Sequence, residues 1–201
     1  MTTENILITG AGGFVGRHLT TLLRGEGLRT VGLERPEVAT RPAPFGADLV
    51  PWELGTADPG APAALARLLG DHGVTAVVHL AGQSSAGASF GDPAGTVRAN
   101  LQGAIELLEA LRLLAAGGGT APRAVLVGSA EEYGAAAGPS PCREDDPVLP
   151  ISPYGTSKAA ATQLCRQYHR AFGLPVLAVR AFAHTGPGQD GQEYTIHMVS
   201  H

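Results

Sequence analysis

Charge is scarce in this chain. Asp, Glu, Lys and Arg supply 16% of its 201 residues, they sum to a formal net charge of −4, and Lys and Arg form no run. A balance of that size and sign offers nothing to a nucleic-acid backbone, so no nucleic-acid partner is expected. Apolar runs of membrane-spanning length are missing, as is an N-terminal basic, apolar and small-residue series, so no membrane span or secretory signal is expected. Cysteine is limited to Cys142 and Cys165, in no metal-ligand spacing, and the seven histidines form no cluster. No metal site is expected, and two reduced structural thiols fit a cytoplasmic protein. What is abundant is apolar. Hydrophobic residues make up 44% of the chain, a globular composition, and the length suffices for one domain or a little more around a substantial core. There is no internal repeat, and low complexity is confined to Ala/Gly connectors at 115–120 and 135–138.

The stretch 6–19, ILITGAGGFVGRHL, organises the rest. Residues 5–8 read as a short buried strand and 15–23 as the start of an amphipathic helix, with Gly10, Gly12, Gly13 and Gly16 in and beside the turn between them. A tight strand-to-helix turn needs residues without a Cβ, because the chain reverses and lies close to whatever sits above it. The helix then begins with unpaired N–H groups and a partial positive charge, which suit a phosphate. The spacing is Gly10-x-x-Gly13-x-x-Gly16. A glycine-rich hairpin with no ligand is the alternative; the strand before, the helix after and further βα units downstream favour a dinucleotide turn.

Those units follow in order. Strands are predicted at 29–34, near 49–54, and at 74–80, 124–127 and 176–180. Helices are predicted at 61–69, at 96–114 through Leu101, Ile105, Leu108, Leu111 and Leu114, and at 153–172. Strands alternating with helices imply right-handed βαβ units. The fold class is α/β: a Rossmann-type, doubly wound parallel sheet with helices on both faces. In such a sheet, ligands sit beyond the C-terminal ends of the strands. Glu34 closes the second strand, where an acid takes the adenosine ribose hydroxyls and repels a 2′-phosphate; Arg35 pulls the other way, and a solvated Glu-Arg pair is the alternative. The fourth strand ends in His79-Leu80-Ala81-Gly82, whose small residues let the backbone approach a cofactor, with His79 read as structural.

The chemistry is expected after the fifth strand. Gly128-Ser129-Ala130-Glu131-Glu132-Tyr133-Gly134 brings a hydroxyl and two carboxylates to the ligand edge. In Ser152-Pro153-Tyr154-Gly155-Thr156-Ser157-Lys158, Pro153 suits a first helical position, so Tyr154 and Lys158 fall one turn apart on one face. An unperturbed tyrosine, with a pKa of about 10, is a poor acid/base at neutral pH, and a neighbouring ammonium favours its phenolate. Ser129 is placed to bond the same substrate oxygen.

Thr9 to Gly16, Asn100-Leu101-Gln102-Gly103, Ser129 with Tyr133-Gly134, and Tyr154 to Lys158 resemble the extended short-chain dehydrogenase/reductases of the NAD-dependent epimerase/dehydratase family, which act on nucleotide sugars. The resemblance runs to about Gly188. Within the family, HLAGQSS at 79–85, GSAEEYG at 128–134 and HTGPGQ at 184–189 are most similar to GDP-4-keto-6-deoxy-mannose reductases and GDP-mannose 4,6-dehydratases. The resemblance implies NAD or NADP as cofactor, held by Gly10, Gly12, Gly13, Phe14, Val15, Gly16, Glu34, Arg35, Leu80, Ala81, Gly82, Asn100, Tyr154 and Lys158. It implies Tyr154 as acid/base, Lys158 also on the nicotinamide ribose, Ser129 on the sugar oxygen, and Glu131 where the dehydratases keep a base. Reduction of a GDP-4-keto-6-deoxy-hexose is the expected reaction. A 4,6-dehydratase or epimerase, a cofactor-binding module without turnover, and an oxidoreductase on a smaller substrate stand as alternatives. In the resembling family the helices corresponding to 96–114 and 153–172 pair across a dimer axis, so a homodimer is expected.

Three departures qualify the resemblance. Arg180-Ala181-Phe182-Ala183 replaces the usual Arg-Pro-Phe-Asn, Gly55 takes the place of an Asp near the adenine, and the family runs on for roughly another hundred residues that build most of the sugar-nucleotide pocket. The expected organisation is a dinucleotide-binding domain at 1–188 and a divergent tail, or the truncated start of a substrate lobe, at 189–201. Ordinary cofactor affinity with weak or absent turnover of GDP-sugars follows for this chain alone.

Overall fold

Strands β1 (Asn5–Thr9), β2 (Arg29–Glu34), β3 (Asp48–Pro51), β4 (Ala76–His79), β5 (Arg123–Val127) and β6 (Val176–Val179) pair in parallel in the order β3-β2-β1-β4-β5-β6. The structure is a computed structural model that describes residues 4–39, 48–56, 58–137 and 140–189; the tail from residue 190 and the Pro/Gly-rich segment 40–47 lie outside the described residues. The order reverses between β1 and β4, which opens a crevice beyond their C-terminal ends.

Alternation along β1 divides the core. Leu7 points to one face, packed with Leu65 and Leu69 of helix α3 (Ala61–Asp71), Leu107 and Leu111 of α6 (Gly103–Ala116), and Cys165 of α7 (Pro153–Phe172). Ile6 and Ile8 point to the other, against Leu19 and Leu23 of α1 (Phe14–Gly25). Each fully buried leucine or isoleucine contributes about 1.5–3 kcal/mol, so a strand hydrophobic on both sides is held centrally. Helices thus lie on both faces, but unequally: among the described residues none covers the second face at the β6 end, where Leu177 and Val179 are 53% and 40% exposed.

Short helices α2 (Pro36–Ala39), α4 (Ala86–Ser89) and α5 (Pro93–Val97) complete the described set. The helix predicted at 96–114 is present but begins earlier, at Pro93, and carries a π-turn: α5 passes through Arg98–Gln102 into α6 without a break. β3 also ends at Pro51 rather than near residue 54, and Trp52 turns away to donate its indole N–H to Glu106 Oε1 at 2.8 Å. Helix α7 matches its expectation, with Ser152 capping it through the Gly155 N–H at 3.0 Å and Gly173 closing it at φ +66°.

Candidate active site

The glycine turn holds its shape through contacts that admit no side chain. Gly10 has φ +69° and donates its N–H to Leu33 O at 2.9 Å. Gly16 lies on the backbone of Gly10 and Ala11, so close that a Cβ would stand 2.7 Å from Ala11 Cα. Gly13 caps α1 without a side chain, which leaves the first N–H groups of the helix, from Phe14 and Val15 on, directed outward for an anion. Glu34 reaches the same turn: Oε2 accepts the Gly12 N–H at 2.8 Å and Oε1 the Arg35 N–H at 3.1 Å. The Arg35 guanidinium is drawn off to Glu37, 3.2 Å away on the exposed surface. The β4 end is fixed by Thr9, whose hydroxyl oxygen accepts the N–H groups of Leu80 and Ala81, both at 3.1 Å, and meets His79 Nδ1 at 2.8 Å. With its oxygen accepting twice, the hydroxyl proton goes to Nδ1, so the ring proton of His79 sits on Nε2. Burial, with Lys158 nearby, pushes His79 down to about 3; it is a neutral strut, in keeping with the structural reading.

Across the crevice, Ser129 follows β5 and caps a 3-10 turn at Ala130–Glu132, its Oγ accepting the Glu131 N–H at 3.2 Å. Gly155 lets α7 press on that turn: a Cβ there would lie 2.6 Å from Glu131 O. The head of α7, with Tyr154 and Lys158 8% and 9% exposed, is therefore packed on the Ser129 turn, and Lys158 Nζ lies 5.9 Å from the Tyr154 ring centroid. Nζ donates to Val127 O at 3.0 Å. Desolvation pushes Lys158 down to about 8, with the charge of Glu132 acting the other way. The π-turn serves this pair by aiming Asn100 inward: Oδ1 accepts the Gln83 N–H at 2.8 Å and Nδ2 donates to Ser157 Oγ at 2.9 Å, while Ser157 donates to Tyr154 O at 2.7 Å. Asn100 thereby ties the end of β4 to α7, beside Gly82, where a Cβ would collide with its amide oxygen. His79, Asn100, Lys158 and Thr162 line a cavity of about 10 Å³ behind the site.

The arrangement brings the glycine turn, Glu34, the Leu80–Gly82 backbone, Asn100, Ser129, Tyr154 and Lys158 to one sheet edge, whereas Arg35, Glu131, Glu132 and Gly55 are placed differently. The Arg35 guanidinium faces Glu37, as above. Glu131 keeps its backbone against α7 but is exposed. Gly55, at φ +79°, is buried beneath the π-turn with its N–H on Glu106 Oε2 at 2.9 Å; the exposed acids between β3 and α3 are Glu53 and Asp58 among the described residues. Sequence reasoning placed both carboxylates of the Glu131-Glu132 pair at the ligand edge, whereas Glu132 is wholly buried and paired with Arg180. The signal available was Arg180 itself, a charge closing an apolar strand. The loop after β6 was missed as a neighbour of α1: His18 Nε2 meets Pro187 O at 2.9 Å, and Gly186 lies against Phe14. Among the described residues no group of three or more His, Cys, Asp or Glu could hold a metal, and no helix is long and apolar enough to cross a membrane.

The family of proteins described as NAD-dependent epimerase/dehydratase is matched over residues 6–201. The chain belongs to that family. GDP-6-deoxy-D-mannose reductase of Pseudomonas aeruginosa is 35% identical over 189 residues, covering 93% of this chain and 54% of the relative. The structure of RMD from Pseudomonas aeruginosa complexed with NADPH aligns with TM-score 0.73 and 32% identity over 94% of this chain and 57% of that one. UDP-glucose 4-epimerase from Brucella ovis in complex with NAD aligns with TM-score 0.75 and 28% identity over 90% and 52%. The chain spans about half the length of the curated relatives it matches. Reductases, epimerases and dehydratases of nucleotide sugars all occur among these epimerase/dehydratase relatives.

Proposed function

We propose that the chain binds NAD(H) or NADP(H) across the Gly10–Gly16 turn and serves hydride transfer on a nucleotide sugar, with reduction of a GDP-4-keto-6-deoxy-hexose as the best-fitting reaction. The observation that carries this reading is the burial of Tyr154 beside Lys158 at the head of α7, against the Ser129 turn and on the same sheet edge as the open N-terminus of α1. The residues fit a dinucleotide: α1 begins without a side-chain cap, Gly16 and Gly82 tolerate no Cβ, and Glu34 is already oriented by a backbone N–H to meet hydroxyls. The bound nicotinamide supplies or accepts the hydride. Phe14, Val15 and Gly16 offer N–H groups to the pyrophosphate, Glu34 takes the ribose hydroxyls, and the backbone of Leu80, Ala81 and Gly82 lines the approach. Ser129 Oγ orients the sugar oxygen, Tyr154 Oη gives it a proton, and the Lys158 ammonium stabilises the phenolate left behind.

The relative with the highest identity given above is a reductase, which sets reduction ahead of dehydration or epimerisation; exposed Glu131 is free of the buried network and remains the base for the dehydratase alternative. Specific affinity for a GDP group comes from buried polar contacts worth about 1–3 kcal/mol each. Ala183 offers none from its side chain. The expected result is slow oxidation of the reduced cofactor by a GDP-4-keto-6-deoxy-hexose, followed by loss of nicotinamide absorbance. Cofactor binding with no oxidation at any substrate concentration favours the binding-module alternative instead.

The described geometry also supports a homodimer. Most of α6 and α7 is spent on the chain's own sheet, but Leu113 and Phe172 stay 36% and 49% exposed around Arg112. A two-fold pairing of these helices buries them. Light scattering at micromolar concentration is expected to give twice the chain mass; a monomer there removes the proposal. Free Cys142 and Cys165 suit a reducing compartment, and we place the protein in the cytoplasm.

A further inference from the structure

Buried charge collects at the root of the Ser129 turn. The side chains of Glu132 and Arg180 are 0% and 8% exposed, and Arg180 Nε donates to Glu132 Oε2 at 3.0 Å. The other carboxylate oxygen accepts the Ser129 N–H at 3.0 Å and the Thr162 hydroxyl at 2.9 Å. One carboxylate thus ties together the exits of β5 and β6 and the middle of α7. Arg180 is held in turn: its guanidinium lies 4.7 Å from the Tyr133 ring centroid and donates to Glu144 O at 3.2 Å. Gly128 makes the room, since a Cβ there would run into Glu132 Oε1. Stability alone does not call for this pair, because hydrophobic replacements of buried ion pairs are often neutral or better.

Its place along α7 gives the pair a task. Thr162 is one turn from Lys158, about 6 Å along the helix axis, so the carboxylate bonded to Thr162 borders the same buried zone as the Lys158 ammonium. That ammonium faces neutral His79 from β4, the Tyr154 ring from its own helix, the Val127 carbonyl from β5 and Glu132 from the Ser129 turn, with Arg180 of the β6 exit behind Glu132. We propose that Glu132, clamped by Arg180, is a positioning residue for the Tyr154–Lys158 pair: it pins Ser129 through its backbone and supplies the buried negative charge that keeps the Lys158 ammonium protonated. The catalytic consequence rests on the proposed hydride-transfer reading; the electrostatic consequence does not. Burial alone draws Lys158 downward from its ordinary value, and Glu132 opposes that fall. Removing Glu132 leaves Arg180 unneutralised, and both changes drive Lys158 further down.

Lys158 is the only lysine in the chain, so a protein grown with ¹³C-lysine gives one ¹³Cε signal whose pH titration reads this group without any turnover. The wild-type midpoint is expected near 8. Glu132→Gln, close in shape, is expected to lower it by about one to two units. The paired variant Glu132→Met/Arg180→Met loses both charges, keeps an apolar filling that folds if the single variant does not, and is expected to shift in the same direction by less. A midpoint within about 0.3 units of wild type in either folded variant overturns the proposal, as does an upward shift. Where the wild type turns over, the basic limb of its pH–rate profile moves down with the NMR midpoint in Glu132→Gln; loss of rate with an unmoved limb marks a merely structural role and also overturns it. An inactive wild type with a shifted midpoint separates failure of the hydride-transfer reading from failure of this one.

Discussion

Replacing Tyr154 by phenylalanine is expected to lower hydride transfer by about 10²–10⁴-fold, the usual contribution of a positioned acid/base, while dinucleotide affinity stays near wild type. The substitution is selective because the ring of Tyr154 is packed, with 8% of the residue exposed, and phenylalanine refills that space. Only the hydroxyl of a ring whose centroid lies 5.9 Å from Lys158 Nζ is lost. Ser157 bonds the Tyr154 carbonyl rather than its side chain, so the start of α7 keeps its anchor. Cofactor titration alongside a single-turnover measurement separates the two effects. Rates near those of the wild type mean that the acid/base is another group, and exposed Glu131 is then the first to change.

Gly16→Ala is expected to damage both the fold and the cofactor site. A methyl group at this position enters the backbone of Gly10 and Ala11, with Ala11 C 2.8 Å away, and backbone does not move aside as a side-chain tip does. Overpacking of this kind costs about 1–3 kcal/mol, which for a chain of this size lowers the melting temperature by about 2–12 °C. The relief available is a shift of α1 away from β1, which carries the N–H groups of Phe14, Val15 and Gly16 out of reach of a pyrophosphate. Dinucleotide affinity is therefore expected to fall at least about tenfold, equivalent to 1.4 kcal/mol. Gly25→Ala, at the far end of the same helix with nothing within 4 Å of the new methyl, is the control; it is expected to leave both quantities unchanged or slightly improved. Equal effects from the two variants contradict the packing argument.

The sheet was legible because its signals are local. Val77 and Leu126 sit in continuous apolar runs, Gly10 and Gly16 mark a turn that only glycine fits, and Ser152-Pro153 announces α7 one residue ahead. The features that escaped are set by long-range partners. A π-turn adds one residue to a helix without disturbing the spacing of Leu101, Ile105 and Leu108 enough to show, so its effect on Asn100 appears only once Gln83 and Ser157 are in place. Glu131 and Glu132 are alike in sequence, yet neighbouring residues of a 3-10 turn point about 120° apart; one meets solvent and the other meets Arg180, 48 residues away. Gly55 was read against a family position, but its fate is decided by Glu106, 51 residues on. The exposure of Leu177 and Val179 among the described residues has the same origin, since both look like core residues of any parallel strand until the elements around them are known.

Dinucleotide binding at the Gly10–Gly16 turn, with Glu34 closing the site, is what the proposed function rests on. Calorimetric titration of NADH and NADPH into the wild-type chain tests it most directly. The predicted result is one saturable site per chain, with NADH bound at least as tightly as NADPH, because the Glu34 carboxylate is held at the Gly12 N–H, where it is proposed to take the ribose hydroxyls, while Arg35 is engaged by Glu37. Saturable binding with a clear preference for NADPH contradicts the role given to Glu34, and the absence of binding by either cofactor contradicts the account as a whole.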